Sequence, residues 1–340
     1  MQKISSALEK EGISFKGKNV LVTGGAGFLG SWICDVLVEQ GGSVTCLDNL
    51  ASGLVKNIQH LRRLRNFKFV EHDISKPIEF DEKFDLIMHL ASRASPFEFA
   101  RYPIQILKAN TLGIWVALGI AKKHRARFLY TSTSEIYGDP DPRFIPTPES
   151  YNGNVNPTGP RSCYDESKRA GEAFVKAYEL QHGMDTRIVR IFNTYGPRLR
   201  ADDIYGRVIS RFISQALGSK PVTVFGDGSQ TRSFAYVTDQ IEGVLRLAAL
   251  DEAEGEVVNI GSDKEASILE LAKMIKKLTN SSSEIVFQPL PKDDPQRRCP
   301  DISKARKLLK WKPKVSLEEG LRKTIAWHIS QERMANMPSS

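Results

Sequence analysis

The first half of the chain alternates short apolar runs with longer amphipathic ones. The short runs have the length of strands and cover residues 18–23, 43–48, 67–71, 84–90, 127–132 and 186–192. Apolar residues recur at helical spacing over residues 31–39, 104–123 and 164–181. Buried parallel strands read as continuous apolar runs, and their alternation with helices is typical of a parallel sheet covered on both faces. The pattern therefore predicts an α/β fold built on a doubly wound parallel sheet.

The second half of the chain is less regular. Two stretches rich in Pro, Gly and Asn, at residues 139–159 and 196–206, predict long loops. Loops of this length inside a compact domain are commonly functional. Amphipathic helices are predicted at residues 268–278 and 317–328. This part of the chain therefore predicts a smaller unit of helices and loops that packs on the sheet.

Composition excludes several classes of protein. The chain is 41% hydrophobic and 26% charged, as in ordinary globular proteins. We identify no apolar run near the roughly 20 residues of a membrane span and no apolar signal core at the polar N-terminus. Cysteines 34, 46, 163 and 299 lack CxxC spacing, so we expect no metal, no disulfide framework and a cytoplasmic location. The net charge of +8 is not interleaved with aromatic residues, so we expect no nucleic-acid partner.

A glycine-rich segment lies between the first predicted strand and the first predicted helix. Gly25, Gly27 and Gly30 fit the pattern GxGxxG, and Gly24 with the last two fits GxxGxxG. Glycines at these positions allow a tight turn, close approach of the backbone to a pyrophosphate, and close packing of helix on strand. The helix N-terminus then offers free N–H groups to phosphate. The residues predicted to bind a dinucleotide here are Gly24, Gly27, Phe28, Leu29 and Gly30.

Further cofactor contacts are expected where the next strands end. Asp48 ends the second predicted strand, and a carboxylate there accepts hydrogen bonds from ribose hydroxyls and repels a 2′-phosphate, which favours NAD over NADP. A turn role before Asn49 is the alternative reading of Asp48. Asp73 follows the third strand and is a weaker candidate for contact with the adenine. The other predicted cofactor-binding residues are Asn49, Ile74, Leu90 and Ala91.

Tyr164 and Lys168 open a predicted helix and are candidates for acid–base chemistry. Residues at i and i+4 share one face of a helix, so the phenol and the ammonium can address one site. A free phenol has a pKa near 10, and nearby positive charge on Lys168 and on a nicotinamide ring lowers it. The hydroxyls of residues 131–134 end the preceding strand, where ligands bind in such sheets. Together these features predict NAD-linked proton transfer by Tyr164.

These motifs together resemble the extended short-chain dehydrogenase/reductase family, over residues 18–328. The finer likeness is to its UDP-glucuronate decarboxylases. It lies in residues 131–140, 154–157, 159–166, 190–198, 226–232, 293–298 and 300–301. The resemblance implies a Rossmann-type fold, NAD as cofactor, a UDP-sugar as substrate and a homodimer formed through two long helices. A UDP-sugar 4-epimerase is the alternative, and a 4,6-dehydratase is disfavoured because Ser134 stands where such enzymes usually carry an acid.

The resemblance also implies roles for individual residues. Tyr164 is the general base, Lys168 lowers its pKa and binds the nicotinamide ribose, and Thr133 completes the triad. Glu135 and Arg298 match positions that handle the decarboxylating sugar, and Glu135 either repels a substrate carboxylate or binds a sugar hydroxyl or water. The implied substrate-binding residues are Ser134, Glu135, Asn193, Arg207, Arg232 and Arg298.

Three features depart from the subfamily pattern and affect the choice of substrate. Arg93 replaces the proline of a usual Ser-Pro-Ala-Ser-Pro run, Ser167 replaces a usual glycine, and residues 199–205 differ from the usual loop. We expect residues 1–192, with a returning segment near 234–262, to form the NAD-binding domain. We expect residues 193–233 and 263–330 to form a smaller α/β substrate-binding domain, and residues 331–340 to form a tail.

Overall fold

A computed structural model describes residues 2–200, 207–290 and 295–335, with side chains described up to Arg333. The described strands are β1 (Asn19–Thr23), β2 (Ser43–Asp48), β3 (Phe67–Glu71), β4 (Leu86–His89), β5 (Arg127–Thr133), β6 (Thr186–Ile191), β7 (Thr194–Tyr195), β8 (Val222–Phe225), β9 (Thr231–Ser233), β10 (Ala235–Tyr236), β11 (Val257–Ile260), β12 (Glu265–Ser267), β13 (Ile285–Gln288) and β14 (Arg297–Arg298). The described helices are α1 (Gln2–Lys10), α2 (Phe28–Glu39), α3 (Pro96–Arg101), α4 (Pro103–His124), α5 (Ser162–His182), α6 (Val208–Leu217), α7 (Val237–Ala249), α8 (Ile268–Thr279), α9 (Ser303–Leu308) and α10 (Leu317–Ala335).

Seven parallel strands form the central sheet, in the order β11-β6-β5-β4-β1-β2-β3. The strands are apolar on both sides because helices cover both faces of the sheet. Ile33 of α2 and Ile241 of α7 belong to one buried cluster, and Leu118 of α4 and Val175 of α5 belong to another. The predicted doubly wound, Rossmann-type sheet is therefore confirmed.

The smaller sheets lie C-terminal to the sixth strand of the central sheet. Strand β9 pairs with β12 and β14, and in this register Arg298 lies opposite Arg232. Strand β8 pairs with β13, while β11, at residues 257–260, returns to the central sheet beside β6. The pairing of β9 with β14 therefore brings two arginines that are far apart in sequence to neighbouring positions. The predicted division into two domains stays a prediction.

Local patterns predict the long elements well and the short ones poorly. Helix α1 was not predicted, because its nine residues carry few apolar positions, of which Ile4 and Leu8 are buried. Helix α10 extends to Ala335, beyond the predicted end at residue 328 and into the predicted tail. Residues 201–205 of the divergent loop and residues 336–340 of the tail lie outside the described residues.

The expectation that no segment is apolar enough to cross a membrane was wrong for α4. This helix, Pro103–His124, is long and apolar enough by length and composition alone. Half of that stretch is buried inside the protein, where α4 packs on the sheet and against α5. Its apolar character therefore has a structural cause, since a helix that covers a sheet buries a wide face.

Candidate active site

A cleft of about 800 Å³ lies along the carboxyl ends of the central strands. Ligands of open parallel sheets bind at this edge, because the loops that follow the strands diverge there. All of the predicted site residues line this cleft: Gly24, Gly27, Phe28, Leu29, Gly30, Asp48, Asn49, Asp73, Ile74, Leu90, Ala91, Thr133, Ser134, Glu135, Tyr164, Lys168, Asn193, Arg207, Arg232 and Arg298. The structure therefore brings the predicted cofactor residues and the predicted substrate residues to one site.

The glycine loop has the shape that a dinucleotide pyrophosphate requires. Gly24 has φ +71°, and a Cβ atom there would lie 2.8 Å from the Ala91 backbone. A Cβ atom on Gly30 would lie 2.2 Å from the carbonyl oxygen of Gly24. Helix α2 begins after Gly27, and no side chain caps its N-terminus, which leaves backbone N–H groups for phosphate oxygens. The loop therefore fits the cofactor that the sequence predicts.

Asp48 has the turn role that the sequence analysis gave as the alternative, and its role in binding ribose stays a prediction. Its Oδ2 accepts a hydrogen bond from the Ala26 backbone at 3.0 Å, and its Oδ1 accepts one from the Leu50 backbone at 2.8 Å. Burial raises the pKa of Asp48, while these two backbone donors oppose that rise. The carboxylate also lines the cleft. Asp48 therefore fixes the turn after β2 while presenting a carboxylate where a ribose would lie.

A small polar cluster follows β3 at the same edge of the sheet. Asp73 Oδ1 accepts hydrogen bonds from the backbone and hydroxyl of Ser75, at 2.9 and 2.8 Å. Burial opposes ionisation of Asp73, but the hydrogen bonds from Ser75 and Asn49 outweigh it and lower its pKa. Asp73 is therefore held as an ordered carboxylate next to Asn49 and Ile74 on the wall of the cleft.

Tyr164, Thr133 and Lys168 meet at the centre of the cleft. The Thr133 hydroxyl interacts with the Tyr164 phenol and favours its ionised form. The ring of Phe99 stacks on that of Tyr164, with centroids 4.9 Å apart. The Lys168 ammonium lies 5.9 Å from the centre of the Tyr164 ring and donates to the Thr131 carbonyl at 2.9 Å. The predicted triad is therefore assembled, with strand β5 supplying Thr133 and helix α5 supplying the other two.

The expected low pKa of Tyr164 does not occur in the protein without its cofactor. Burial raises the pKa of Tyr164 to about 12, although the positive charge of Arg207 opposes the rise. Burial also lowers the pKa of Lys168 to about 7, so this buried ammonium holds its proton weakly. The reason is desolvation, which disfavours both the phenolate and the ammonium. A positive charge brought into the cleft would reverse the effect on Tyr164.

Glu135 forms the centre of a buried ion-pair network at the far end of the cleft. Its two carboxylate oxygens pair with Arg161 and Arg298, one arginine on each oxygen. Burial alone would raise the pKa of Glu135, but the two arginines outweigh it and hold the pKa well below its ordinary value. Asp165 lies 3.6 Å from Arg161, and burial raises its pKa to about 7. While Asp165 is protonated, the two arginines outnumber the single negative charge of Glu135, and the network would attract an acidic group of a substrate.

Arg161 is a functional residue that the sequence analysis did not single out. It lies three residues before Tyr164 at the start of α5, and its side chain is 17% exposed. Residues three apart share a helical face, so its position relative to Tyr164 could have identified it. Its pairing with Glu135 spans 26 residues and could not be read from local spacing. Asp165, whose Oδ2 lies 3.6 Å from the Arg161 Nε, was also not singled out, although its i,i+4 spacing from Arg161 is local.

The remaining predicted substrate residues come from three separate segments that line the cleft. Arg232 is buried and donates to the Thr231 carbonyl at 2.8 Å, whereas Arg207 is exposed and donates to the Ala94 carbonyl at 3.2 Å. Asn193 Nδ2 is buried without a hydrogen-bond partner among the described residues. Because buried polar groups are normally paired, this unpaired amide indicates a ligand group opposite it.

Arg93, the main departure from the subfamily pattern, lines the cleft. It pairs with the buried Glu98 at 2.5 Å and lies 4.6 Å from the centre of the Tyr102 ring. Its charge is therefore compensated within helix α3 and the residues around it. The ion pair with Glu98 balances the charge of Arg93, so Arg93 adds no net charge to the cleft.

Three residues near the site have packing or structural roles. His89 is buried, and burial lowers its pKa to about 3. Cys163 is buried at the start of α5. Arg190 pairs with Glu172 at 2.7 Å on the sheet. These residues support the site but do not line the cleft.

Comparisons with known proteins agree with this geometry. Residues 20–261 match the model of the NAD dependent epimerase/dehydratase family. The chain is 48% identical over 320 residues to UDP-glucuronic acid decarboxylase 1 of Danio rerio, covering 94% of this chain and 75% of that protein. It is 47% identical over 313 residues to UDP-glucuronic acid decarboxylase 2 of Arabidopsis thaliana, covering 91% and 68%.

Solved structures show the same fold. The UDP-glucuronic acid 4-epimerase of Bacillus cereus, in complex with UDP-glucuronic acid and NAD, matches with TM-score 0.82 and 30% identity, over 92% of this chain and 99% of that one. The UDP-glucose 4-epimerase of Thermotoga maritima matches with TM-score 0.83 and 32% identity, over the same shares of both chains. With the glycine loop, the Tyr164–Lys168 pair and these matches in place, the chain belongs to the NAD-dependent epimerase/dehydratase family.

Proposed function

We propose that this protein is an NAD-dependent UDP-glucuronate decarboxylase that forms UDP-xylose. The observation that carries the proposal is the Arg161–Glu135–Arg298 network, which places two arginines on the wall of the cleft that also contains Tyr164 and is net positive while Asp165 is protonated. Such a network suits a sugar that carries a carboxylate better than a neutral sugar. The curated relatives that are 46–48% identical to this chain are named UDP-glucuronic acid decarboxylases, which supports the same activity.

The central residues suit proton transfer at the sugar C4 hydroxyl. When bound, NAD accepts a hydride from C4 and returns it at the end of the cycle, so it is regenerated. Tyr164 accepts the proton of the C4 hydroxyl at its phenol oxygen. Thr133 interacts with that oxygen, and its hydrogen bond favours the ionised phenol. Lys168 adds a buried positive charge on the same face of helix α5, when it is protonated.

Loss of carbon dioxide follows from the chemistry of the oxidised sugar. A C6 carboxylate on C5 is β to a C4 ketone, so its departure moves an electron pair into an enolate at O4. Tyr164, now protonated, and Thr133 are the hydrogen-bond donors available to that oxygen, and donors aimed at developing charge are a large source of catalysis. Arg161 and Arg298 hold the carboxylate end of the substrate in place before it leaves.

A UDP-sugar 4-epimerase is the second candidate, because the solved neighbours include epimerases. It would form the same 4-keto sugar and return the hydride to the opposite face of C4. The test is mass spectrometry of the products from UDP-glucuronate, UDP-glucose and UDP-galactose. The decarboxylase predicts a nucleotide sugar lighter by the mass of carbon dioxide from UDP-glucuronate alone. Interconversion of UDP-glucose and UDP-galactose without loss of carbon dioxide would reject it.

We also propose that the protein forms a homodimer through α4 and α5. Large apolar side chains are exposed on these two helices, which pack against each other: Ile104, Leu107, Leu112, Trp115 and Leu180. Four of these five side chains lie within residues 104–115 of α4, and a cluster of exposed apolar groups marks an interaction surface. A two-fold axis would allow the same surface of a second copy to cover them. Light scattering after gel filtration should give a dimer, and Trp115→Glu should give a monomer, whereas a monomeric wild type would reject the dimer.

For the location we propose the cytoplasm, with no nucleic-acid or membrane partner. All four cysteines are buried and free, as is usual for proteins of reducing compartments. Fractionation of cells that express the tagged protein would test this, and recovery with the membrane fraction would contradict it.

A further inference from the structure

A second, smaller cavity lies behind the Glu135 network. It has a volume of about 230 Å³ and shares two lining residues, Arg161 and Arg298, with the main cleft. Glu135 lines only the main cleft, and Asp165 lines only the small cavity. The two arginines therefore form the wall between the catalytic cleft and the small cavity.

The small cavity is polar and is reached from the protein surface. Its outer wall contains exposed side chains, among them Asp139, Asn154 and Asn156. At roughly 30 Å³ for each liquid water molecule, its volume accommodates several of them. It therefore offers solvent a route to the sugar end of the cleft that does not pass through the cofactor end.

Asp165 is the buried acid of this cavity. Its side chain is 7% exposed, and its Oδ2 lies 3.6 Å from the Arg161 Nε. Its Oδ1 is buried without a hydrogen-bond partner among the described residues, although buried carboxylate oxygens are normally paired. Burial raises the pKa of Asp165 to about 7. A buried acid with this pKa therefore lies on the wall of a cavity that is large enough for water.

Several charged or titratable groups face Asp165 and influence its ionisation. Glu135 raises its pKa further, as does Glu166 of the same helix, whereas Arg161 and Arg298 lower it. Tyr164 and Cys163, its neighbours on α5, also interact with its charge, and Asp139 lines the same cavity.

The proposed decarboxylation consumes one proton at C5. When the C5–C6 bond breaks and carbon dioxide leaves, the electron pair is held in the enolate at O4, and C5 must then take a proton as the C4 ketone re-forms. Tyr164 acts at O4, and Glu135 is held in its ionised form by two arginines. With Tyr164 assigned to O4 and Glu135 ionised, the protonation of C5 calls for another donor.

We propose that the small cavity is a proton entrance for C5, in which Asp165 holds the proton and passes it by way of water between Arg161 and Arg298. This inference rests on the proposed decarboxylase function. Water returns the proton to Asp165 from the surface through the polar outer wall, so the group is restored after each turnover. A carboxylic acid beside a water-filled cavity meets the requirement of a proton donor that exchanges near neutral pH.

The test is the reaction of the NAD-bound enzyme with UDP-glucuronate in D₂O, followed by NMR of the product and by release of carbon dioxide. The wild type should place one deuterium at a single position of C5. Asp165→Asn should release carbon dioxide in the first turnover as the wild type does. It should form UDP-xylose at least about 10-fold more slowly and divide deuterium between the two C5 positions, because water in the cleft would replace the lost donor. Asp165→Glu should restore single-site labelling.

The matched control is Glu179→Gln, which alters another acid of α5 that lines neither cavity and is not among the groups that shift the pKa of Asp165. Melting temperature and NAD binding show whether each variant is folded. In the wild type, UDP-xylose formation relative to the burst of carbon dioxide should fall as the pH rises above about 7, because Asp165 then loses its proton. A pH-independent ratio would overturn the inference.

Two further outcomes would overturn it. If Asp165→Asn forms UDP-xylose at the wild-type rate and with wild-type labelling, the acid is not used as a proton donor. If carbon dioxide release and UDP-xylose formation fall in parallel in this variant, Asp165 has a structural role. If the wild type releases no carbon dioxide, the proposed function itself fails, and this result is distinct from either outcome.

Discussion

The cofactor end of the cleft is formed mainly by backbone atoms, and the sugar end is formed mainly by charged side chains. At the cofactor end, backbone atoms form most of the predicted binding surface. They belong to the glycine loop, the uncapped N-terminus of α2 and the turn held by Asp48. At the sugar end, side chains from three distant segments meet in the Arg161–Glu135–Arg298 network. Where backbone atoms form the binding site, a substitution that adds atoms is expected to block the ligand. Where charged side chains form it, a substitution that changes the net charge is expected to alter which ligand binds.

This difference also decides what the sequence could predict. The glycine spacing and the position of Asp48 after β2 are local patterns, so the cofactor end followed from them directly. The pairing of β9 with β14, which positions Arg298, is a long-range contact between short strands that no periodicity reveals. Glu135 and Arg298 were chosen by resemblance, and their common partner Arg161 was missed. The high pKa of Tyr164 was also missed, because burial of a side chain cannot be measured from spacing.

The largest loss of NAD binding and activity is expected from a substitution that adds side-chain atoms to the glycine loop at the cofactor end. A Cβ atom on Gly30 would lie 2.2 Å from a carbonyl oxygen that cannot move away, so Gly30→Val should abolish NAD binding and activity. Forced overpacking typically costs 1–3 kcal/mol, about 2 kcal/mol here. Calorimetric titration with NAD and thermal melting measure both effects.

The control for Gly30→Val is Gly17→Ala. Gly17 has φ +72° but open space around it, so the substitution should lower stability and leave NAD affinity unchanged. Tight NAD binding by Gly30→Val would contradict the backbone-built account.

Next in size is the loss of the proton acceptor. Tyr164→Phe should lower kcat by about 10²–10⁴-fold, the usual contribution of a positioned acid–base group, and should leave NAD binding intact. Tyr178→Phe, on the same helix but outside the cleft, should have no effect. Steady-state kinetics with UDP-glucuronate measure the change, and a Tyr164→Phe enzyme of near wild-type activity would remove this residue from the mechanism.

A smaller and more selective effect is expected at the side-chain-built end. Arg298→Met removes one charge from the buried network, and a hydrogen bond to a charged group contributes about 1.5–3 kcal/mol, or roughly 10–150-fold in affinity. Binding of UDP-glucuronate should weaken by this factor, and binding of UDP-glucose should weaken much less.

The adjacent Arg297 provides the matched control for this prediction. It pairs with Glu265 at the surface, so Arg297→Met should change neither affinity. Equal weakening of both nucleotide sugars by Arg298→Met would show that Arg298 does not recognise the carboxylate.

The last effect bears on stability rather than on activity, and it concerns Lys168 in the cofactor-free protein. Burial lowers its pKa from 10.5 to about 7, so between these values the unfolded chain binds a proton that the folded protein does not. The contribution of Lys168 to stability is therefore unfavourable below pH 7 and improves as the pH rises towards 10. Urea unfolding at pH 7, 8 and 9 should show a steeper rise for the wild type than for Lys168→Met. If the free energy of unfolding changes with pH equally in the wild type and in Lys168→Met, the lowered pKa of Lys168 is contradicted.

The most direct test of the central claim follows the carboxylate carbon itself. UDP-glucuronate labelled with ¹³C in the sugar is incubated with the enzyme and NAD, and ¹³C NMR follows the C6 signal. The account predicts that the C6 label appears as carbon dioxide and bicarbonate in step with UDP-xylose, without net formation of NADH. Label that stays on a nucleotide sugar with inverted C4 would contradict it and would identify an epimerase.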